Sequence, residues 1–151
     1  MAYSTQSDVQ AAAGGSANLV ALADLDGTFP GDAGASVATT TAAAIRTADG
    51  VINSYVGHRY AVPLATVPDT IRDLSASWAV RVLRKNRYSG APLTDDQEQE
   101  KIDREWLEGV ADGTISLGIE PTPEKASIVI DKAAPRDSSL ETSRERLRGF
   151  I

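Results

Sequence analysis

The sequence predicts an all-α fold, a small helical bundle, and three observations carry that prediction. Apolar residues recur every three or four positions through residues 36–56 and again through 68–87, the spacing of one buried stripe on a helix. Capping residues and helix breakers bracket the periodic runs, as helix starts and stops require. Strict alternation of apolar and polar residues, the mark of a strand, is confined to one short run at 126–131.

Two long helices form the centre. The first, 36–56, carries Val37, Thr41, Ala44, Ile45, Ala48, Ile52 and Tyr55 on one stripe. Its propensity is poor, because threonine and valine are frequent and Gly50 costs roughly 1 kcal/mol relative to alanine, so tertiary packing must hold it. Asp49-Gly50 is also a turn signal, but the apolar period runs through it unbroken and predicts continuous helix. The second, 68–87, places Ile71, Leu74, Trp78, Val82 and Leu83 on its stripe, with the small Ala76, Ser77 and Ala79 letting a neighbour approach Trp78. Arg81, Arg84, Lys85 and Arg87 gather at its C-terminal end, where the helix dipole favours cations. That cluster reads as a solvated helix end; its functional reading is contact with DNA or an acidic partner.

The connector between them, GHRYAVPLATVP at 57–68, predicts a rigid elbow. Gly57 is expected to take the positive φ that ends a helix, and Pro68 to occupy the first turn of the next, where its missing N–H is not needed. Gly57, Arg59, Tyr60, Pro63, Leu64 and Pro68 are the structural elbow residues. The lone histidine, His58, is expected to satisfy backbone carbonyls at the helix end.

Upstream, residues 3–13 open with Ser4 or Thr5 as N-cap and Asp8 in the first turn, and Gly14 and Gly15 stop the helix. A short run, 16–23, puts Leu19, Val20 and Leu22 on overlapping faces, which predicts a buried element. The aspartates of 24–34, DLDGTFPGDAG, invite a calcium reading. The sixth position from Asp24 is Phe29 rather than glycine and the twelfth is Ala35 rather than glutamate, so a turn is predicted instead. Downstream, Thr94 and Gln97 form a capping box that starts a helix running to about Ala111, with Ile102, Trp106 and Val110 on its apolar side and Gly113 just past its end. The opposite face, with Glu98, Glu100, Asp103, Glu105 and Glu108, reads as a solvated acidic face rather than an acid–base pair.

Composition narrows the function. A chain of 151 residues suits one domain, and the absence of cysteine removes disulfides, thiolate catalysis and Cys-type zinc sites. With a single histidine, a His-rich metal site is excluded, and no cofactor is implied. A formal net charge of -6 disfavours a broad DNA-binding face. The longest apolar run, 17–23, is far short of the roughly 20 residues that span a bilayer, and the first residues lack a basic and apolar leader, so a soluble protein used without export or membrane contact is expected.

From Thr114 the character changes: two close prolines and no periodic apolar cluster predict a segment too poor in core residues to fold alone, either disordered or laid along a partner. The expected division is a helical body at 1–123 and an extended docking tail at 124–151. Residues 127–130, with Ile128 and Ile130, fit the edge of another protein's sheet. A short helix through Leu140, Arg144 and Leu147 is expected in 138–151, which ends RERLRGFI. There Arg144, Arg146 and Arg148 stand among Leu147, Phe150 and Ile151, side chains typical of interface anchors. Partner docking is the reading taken, against folding back onto its own domain. Lys and Arg number 9 against 16 Asp and Glu up to Pro123, but 6 against 5 from Glu124, so a mildly basic tail follows an acidic body.

The N-terminal MAYST, the LVALAD run with its Asp/Gly loop, the central AIRTADGVINSYVGHRYAVPLATVPDTIRDLSASWAVRVL, the EWLEGVADGTISLGI segment and the terminal LRGF together resemble Mu-like phage and prophage proteins of the head-tail connector, or neck adaptor, group. The resemblance covers most of the chain in the same order. Its strongest piece is Gly57, Arg59, Tyr60, Pro63, Leu64, Val67 and Pro68. It implies a structural role in the virion neck after assembly in the host cytoplasm: a homo-oligomeric ring, commonly of twelve subunits, between the portal and the next neck or tail protein. The C-terminal segment would reach the portal, and DNA would pass through the channel without specific binding. The 24–34 loop lacks the fuller acidic pattern often seen in such relatives. Two alternatives compete. A small helical DNA-binding regulator or packaging factor would need basic and amide side chains at a recognition-helix N-terminus, where Pro68, Asp69 and Asp73 stand instead. An enzyme would need a triad, a phosphate loop or a metal cluster.

Overall fold

The computed structural model describes residues 1–24, 33–88 and 94–122, with backbone alone at 33–35. Five helices lie within them: α1 (Gln6–Ala12), α2 (Ser16–Ala23), α3 (Ala33–Val56), α4 (Asp69–Arg87) and α5 (Thr94–Asp112), with no strand among the described residues. α4 packs against each of the other helices and forms the axis of the core. Its buried residues, Ile71, Ala76, Trp78, Ala79, Val80 and Leu83, cover more than one stripe, as a helix contacted on several sides requires.

α3 runs unbroken through Asp49-Gly50. Val37, Thr41, Ala44, Ile45, Ala48 and Ile52 are buried and Tyr55 is half-buried, so packing against α4 offsets the weak propensity of this helix. It begins at Ala33, three residues before the expected start, because no apolar stripe residue precedes Val37 to signal the first turn. α4 begins at Asp69. Pro68 stands just outside as the cap, extended at φ -61° and ψ 149°, and its carbonyl accepts from the N–H groups of Ile71 and Arg72 at 3.0 and 3.1 Å. Its ring therefore fixes the approach to the helix and not the first turn itself.

Thr5 caps α1 in a full capping box: the Asp8 N–H donates to Thr5 Oγ1 at 3.3 Å, and the Thr5 N–H donates to Asp8 Oδ2 at 2.7 Å. The Thr5 hydroxyl first, then its N–H, holds the Asp8 carboxyl below the ordinary aspartate value. The resulting stability is present above that value and is lost as pH falls through the lowered one. Thr5→Ala is expected to cost about 1 kcal/mol, measured as a fall in the midpoint of thermal unfolding at neutral pH, with the deficit shrinking in acid.

α5 departs from its expected apolar line. Ile102 is 57% exposed, whereas Leu107 and Val110 are fully buried. The buried line passes through Asp103, Leu107 and Val110: burial of Leu107 and Val110 turns that face inward, and Arg81 of α4 supplies the cation that lets Asp103 go with them. Thr94 is the first helical residue, so the cap position before it falls outside the described residues. Gly113 ends the helix at φ +83°, as its type predicts.

Residues 114–122 neither lack structure nor wait for a partner. Leu117 is buried, Ile115 and Ile119 pack against the core, and the Thr122 N–H donates to the Arg59 carbonyl at 3.1 Å. Three isoleucine or leucine side chains and an existing partner in the elbow are enough to fold a stretch that has no periodic pattern of its own.

Candidate functional site

The elbow is where the ends of the body are tied together. After Val56 the chain finishes its helix with ordinary bonds, Gly57 N–H to Asn53 O at 2.9 Å and Tyr60 N–H to Val56 O at 2.9 Å. Gly57 does not take the expected positive φ; among the described residues that conformation belongs to Gly14, Gly15, Gly113 and Gly118. Glycine is required there by space, since a Cβ would lie 2.6 Å from the Asn53 carbonyl and 3.4 Å from Val62 Cγ2. Pro63 is exposed and follows Val62 through a cis peptide bond. Tyr60 and Leu64 are buried: the Tyr60 hydroxyl accepts the Leu117 N–H at 3.3 Å, and the Leu64 N–H donates to the Tyr3 hydroxyl at 3.1 Å. Arg59 lies across Gly113, where any side chain would collide with its guanidinium. His58 is exposed, and the bond at this helix end comes from its backbone N–H to Tyr55 O at 3.1 Å, not from its ring.

A second cluster was not foreseen in the sequence. Asp49 is 6% exposed and accepts the Tyr3 N–H at 3.1 Å and the Ser75 hydroxyl at 2.7 Å, while Ser75 Oγ stands 2.8 Å from Ser4 Oγ. Tyr3 also donates its hydroxyl to Asn53 Oδ1. Burial pushes the Tyr3 hydroxyl above the ordinary phenol value, so this anchor is complete below that value and weakens as pH rises through the raised one. The signal that could have revealed it is Asp49 itself, an acid beside Ala48 and one turn from Ile45 on a buried stripe.

The basic end of α4 is a solvated helix end only in part: Lys85 and Arg87 are exposed, whereas Arg81 and Arg84 are drawn into ion pairs and are not free for DNA. Arg81 pairs with Asp103, Arg84 pairs with Asp96 at 2.9 Å, and Arg87 donates to the Asp24 carbonyl. Trp78 is flanked by two guanidinium groups, Arg81 at 5.0 Å and Arg104 at 5.5 Å from its ring centre. Arg104 also bonds Glu100 at 2.6 Å and the Tyr55 hydroxyl at 3.3 Å; the Glu100 bond above all raises its pKa further. The acidic face of α5 is therefore split. Asp96, Glu100 and Asp103 are consumed in this seam, and Glu98, Glu105 and Glu108 remain exposed.

Among the described residues, no group of three or more His, Cys, Asp or Glu side chains is placed to hold a metal ion, and no helix is long and apolar enough to cross a membrane. Most of the 24–34 loop, and the tail residues Ile128, Ile130, Leu140, Arg144, Arg146, Leu147, Arg148, Phe150 and Ile151, lie outside the described residues.

The family described as "Bacteriophage Mu, Gp36" matches residues 3–130, which include all five helices, the elbow and the N-terminal anchor. The chain belongs to the bacteriophage Mu Gp36 family. It is also similar to "Mu-like prophage FluMu protein gp36" of Haemophilus influenzae, with 34% identity over 110 residues, 72% of this chain and 73% of that protein. No solved structure matches the chain. The Gp36-family match identifies a phage protein, and neither comparison indicates an enzyme. It stops at residue 130, before Leu140 and the basic, apolar terminus.

Proposed function

We propose that the protein is a structural head-tail connector of a tailed phage. It would act as one subunit of a ring, of twelve if it follows the adaptors it resembles, that joins the portal to the next neck or tail component and lines the DNA channel. Membership of the Mu Gp36 family carries the reading, because it restricts the chain to phage proteins, and the ordered neck-adaptor resemblance narrows the role. The charge arrangement supports it as well. Arg81, Arg84 and Arg87 bond within the body, while Glu98, Glu105 and Glu108 face solvent, which suits a wall that lets DNA slide. The same pairing weakens the DNA-binding regulator, which needs those cations free. In this reading the protein has no catalytic activity and works in the virion neck.

The tail residues from Ile128 to Ile151 are assigned to the portal and the body to the ring. Deleting 124–151 is expected to abolish co-sedimentation with the portal protein of the same phage while leaving the helical circular dichroism of the body unchanged. Retained co-sedimentation would overturn the assignment of the tail. Salt-dependent retention of duplex DNA in a filter-binding assay would favour the regulator instead.

A further inference from the structure

α5 leaves the start of its predicted apolar line, at Ile102, on its outer flank, and the line goes on through residues that are only partly covered by the core. Ile102 is 57% exposed, Trp106 one turn later is only half-buried, and Ile115 continues the line by packing over Gly109, whose missing side chain leaves it room. Acids border this stripe. α5 carries eight Asp or Glu against two Lys or Arg, and Glu98 and Glu105 stand exposed four residues before and three residues after Ile102. An exposed isoleucine beside a half-buried tryptophan, bordered by carboxylates, calls for an occupant that is itself apolar and basic.

We infer that this stripe is the docking surface for the chain's own C-terminal segment, 144–151, in the protein before it meets the portal. That segment supplies Arg144, Arg146 and Arg148 for the carboxylates, and Leu147, Phe150 and Ile151 for Ile102 and Trp106. Reach does not limit it: the described chain ends at residue 122, and the 21 residues from 123 to 143 can span roughly 70 Å when extended. The contact covers the anchors until assembly and leaves them available to the portal by exchange. The fold-back contact is a property of the isolated chain; only its exchange for the portal rests on the connector reading.

The absence of cysteine makes the test clean. Lys101→Cys and Gly149→Cys, each beside an anchor and leaving Ile102 and Phe150 in place, are introduced together into the full chain, and mild oxidation is followed on non-reducing gels. The control pair is Val20→Cys with Gly149→Cys, Val20 being exposed on α2, at 36%. Docking predicts a closed monomer formed at least about fivefold faster in the first pair, with the advantage lost in roughly 1 M salt or on adding Glu98→Lys and Glu105→Lys. Equal rates in the two pairs would overturn the contact. A disulfide-linked dimer as the main product would overturn the own-chain assignment in favour of a second copy.

Discussion

Asp49→Ala is expected to lower the stability of the body by roughly 3–5 kcal/mol, read as a fall in the midpoint of urea unfolding at unchanged slope. The carboxylate is 6% exposed and holds two donors, the Tyr3 N–H and the Ser75 hydroxyl. Hydrogen bonds to a charged acceptor contribute about 1.5–3 kcal/mol each, and both donors would stay buried without a partner. The loss spreads, because Tyr3 is also the residue through which the N-terminus grips Asn53 and the Leu64 N–H of the elbow. Asp49→Asn keeps the shape and one acceptor, so about half the loss is expected. A variant as stable as the parent would mean that Asp49 does not anchor the N-terminus.

Arg81→Leu is expected to cost a similar amount, roughly 3–5 kcal/mol, because it leaves Asp103 without its cation in a site where the two side chains are only 10% and 12% exposed. The guanidinium also covers the face of Trp78, so packing is lost along with charge. The informative comparison is the double variant Arg81→Leu with Asp103→Leu. Replacing a buried pair by apolar side chains is often neutral, so most of the loss should return, and thermal unfolding of the two singles and the double measures the coupling. A single variant that costs nothing would put the α4–α5 seam in solvent.

These two sites also mark where the sequence stops being legible. The two long helices could be read because their stripes repeat: Val37 to Ile52 and Ile71 to Leu83 lie within the helices that the period marks, with Leu74 and Val82 only half-buried and the starts differing by one to three residues. Tertiary charge pairing could not, because nothing local distinguishes Asp103, which turns inward to Arg81, from Glu105, which faces water. The same limit holds at Ile102: the face of α5 that turns inward carries Leu107 and Val110 with the paired acid Asp103, a combination that no apolar period marks. Gly57 marks the elbow in the sequence, but the need for glycine there comes from a close approach to the Asn53 carbonyl and not from a left-handed turn. The order of residues 114–122 is invisible locally because their partners, Tyr60 and the Arg59 carbonyl, lie more than fifty positions away. Family membership was legible in the ordered segments around the elbow, whereas the role of the terminus rests on a stretch beyond the family match.

The connector reading is tested most directly by sizing the full chain by light scattering, alone and with the purified portal protein of the same phage. The reading predicts that portal draws the chain into a complex carrying a ring of its copies, many times the 15.9 kDa of one chain. A chain that stays monomeric and elutes apart from portal at micromolar concentrations would contradict it.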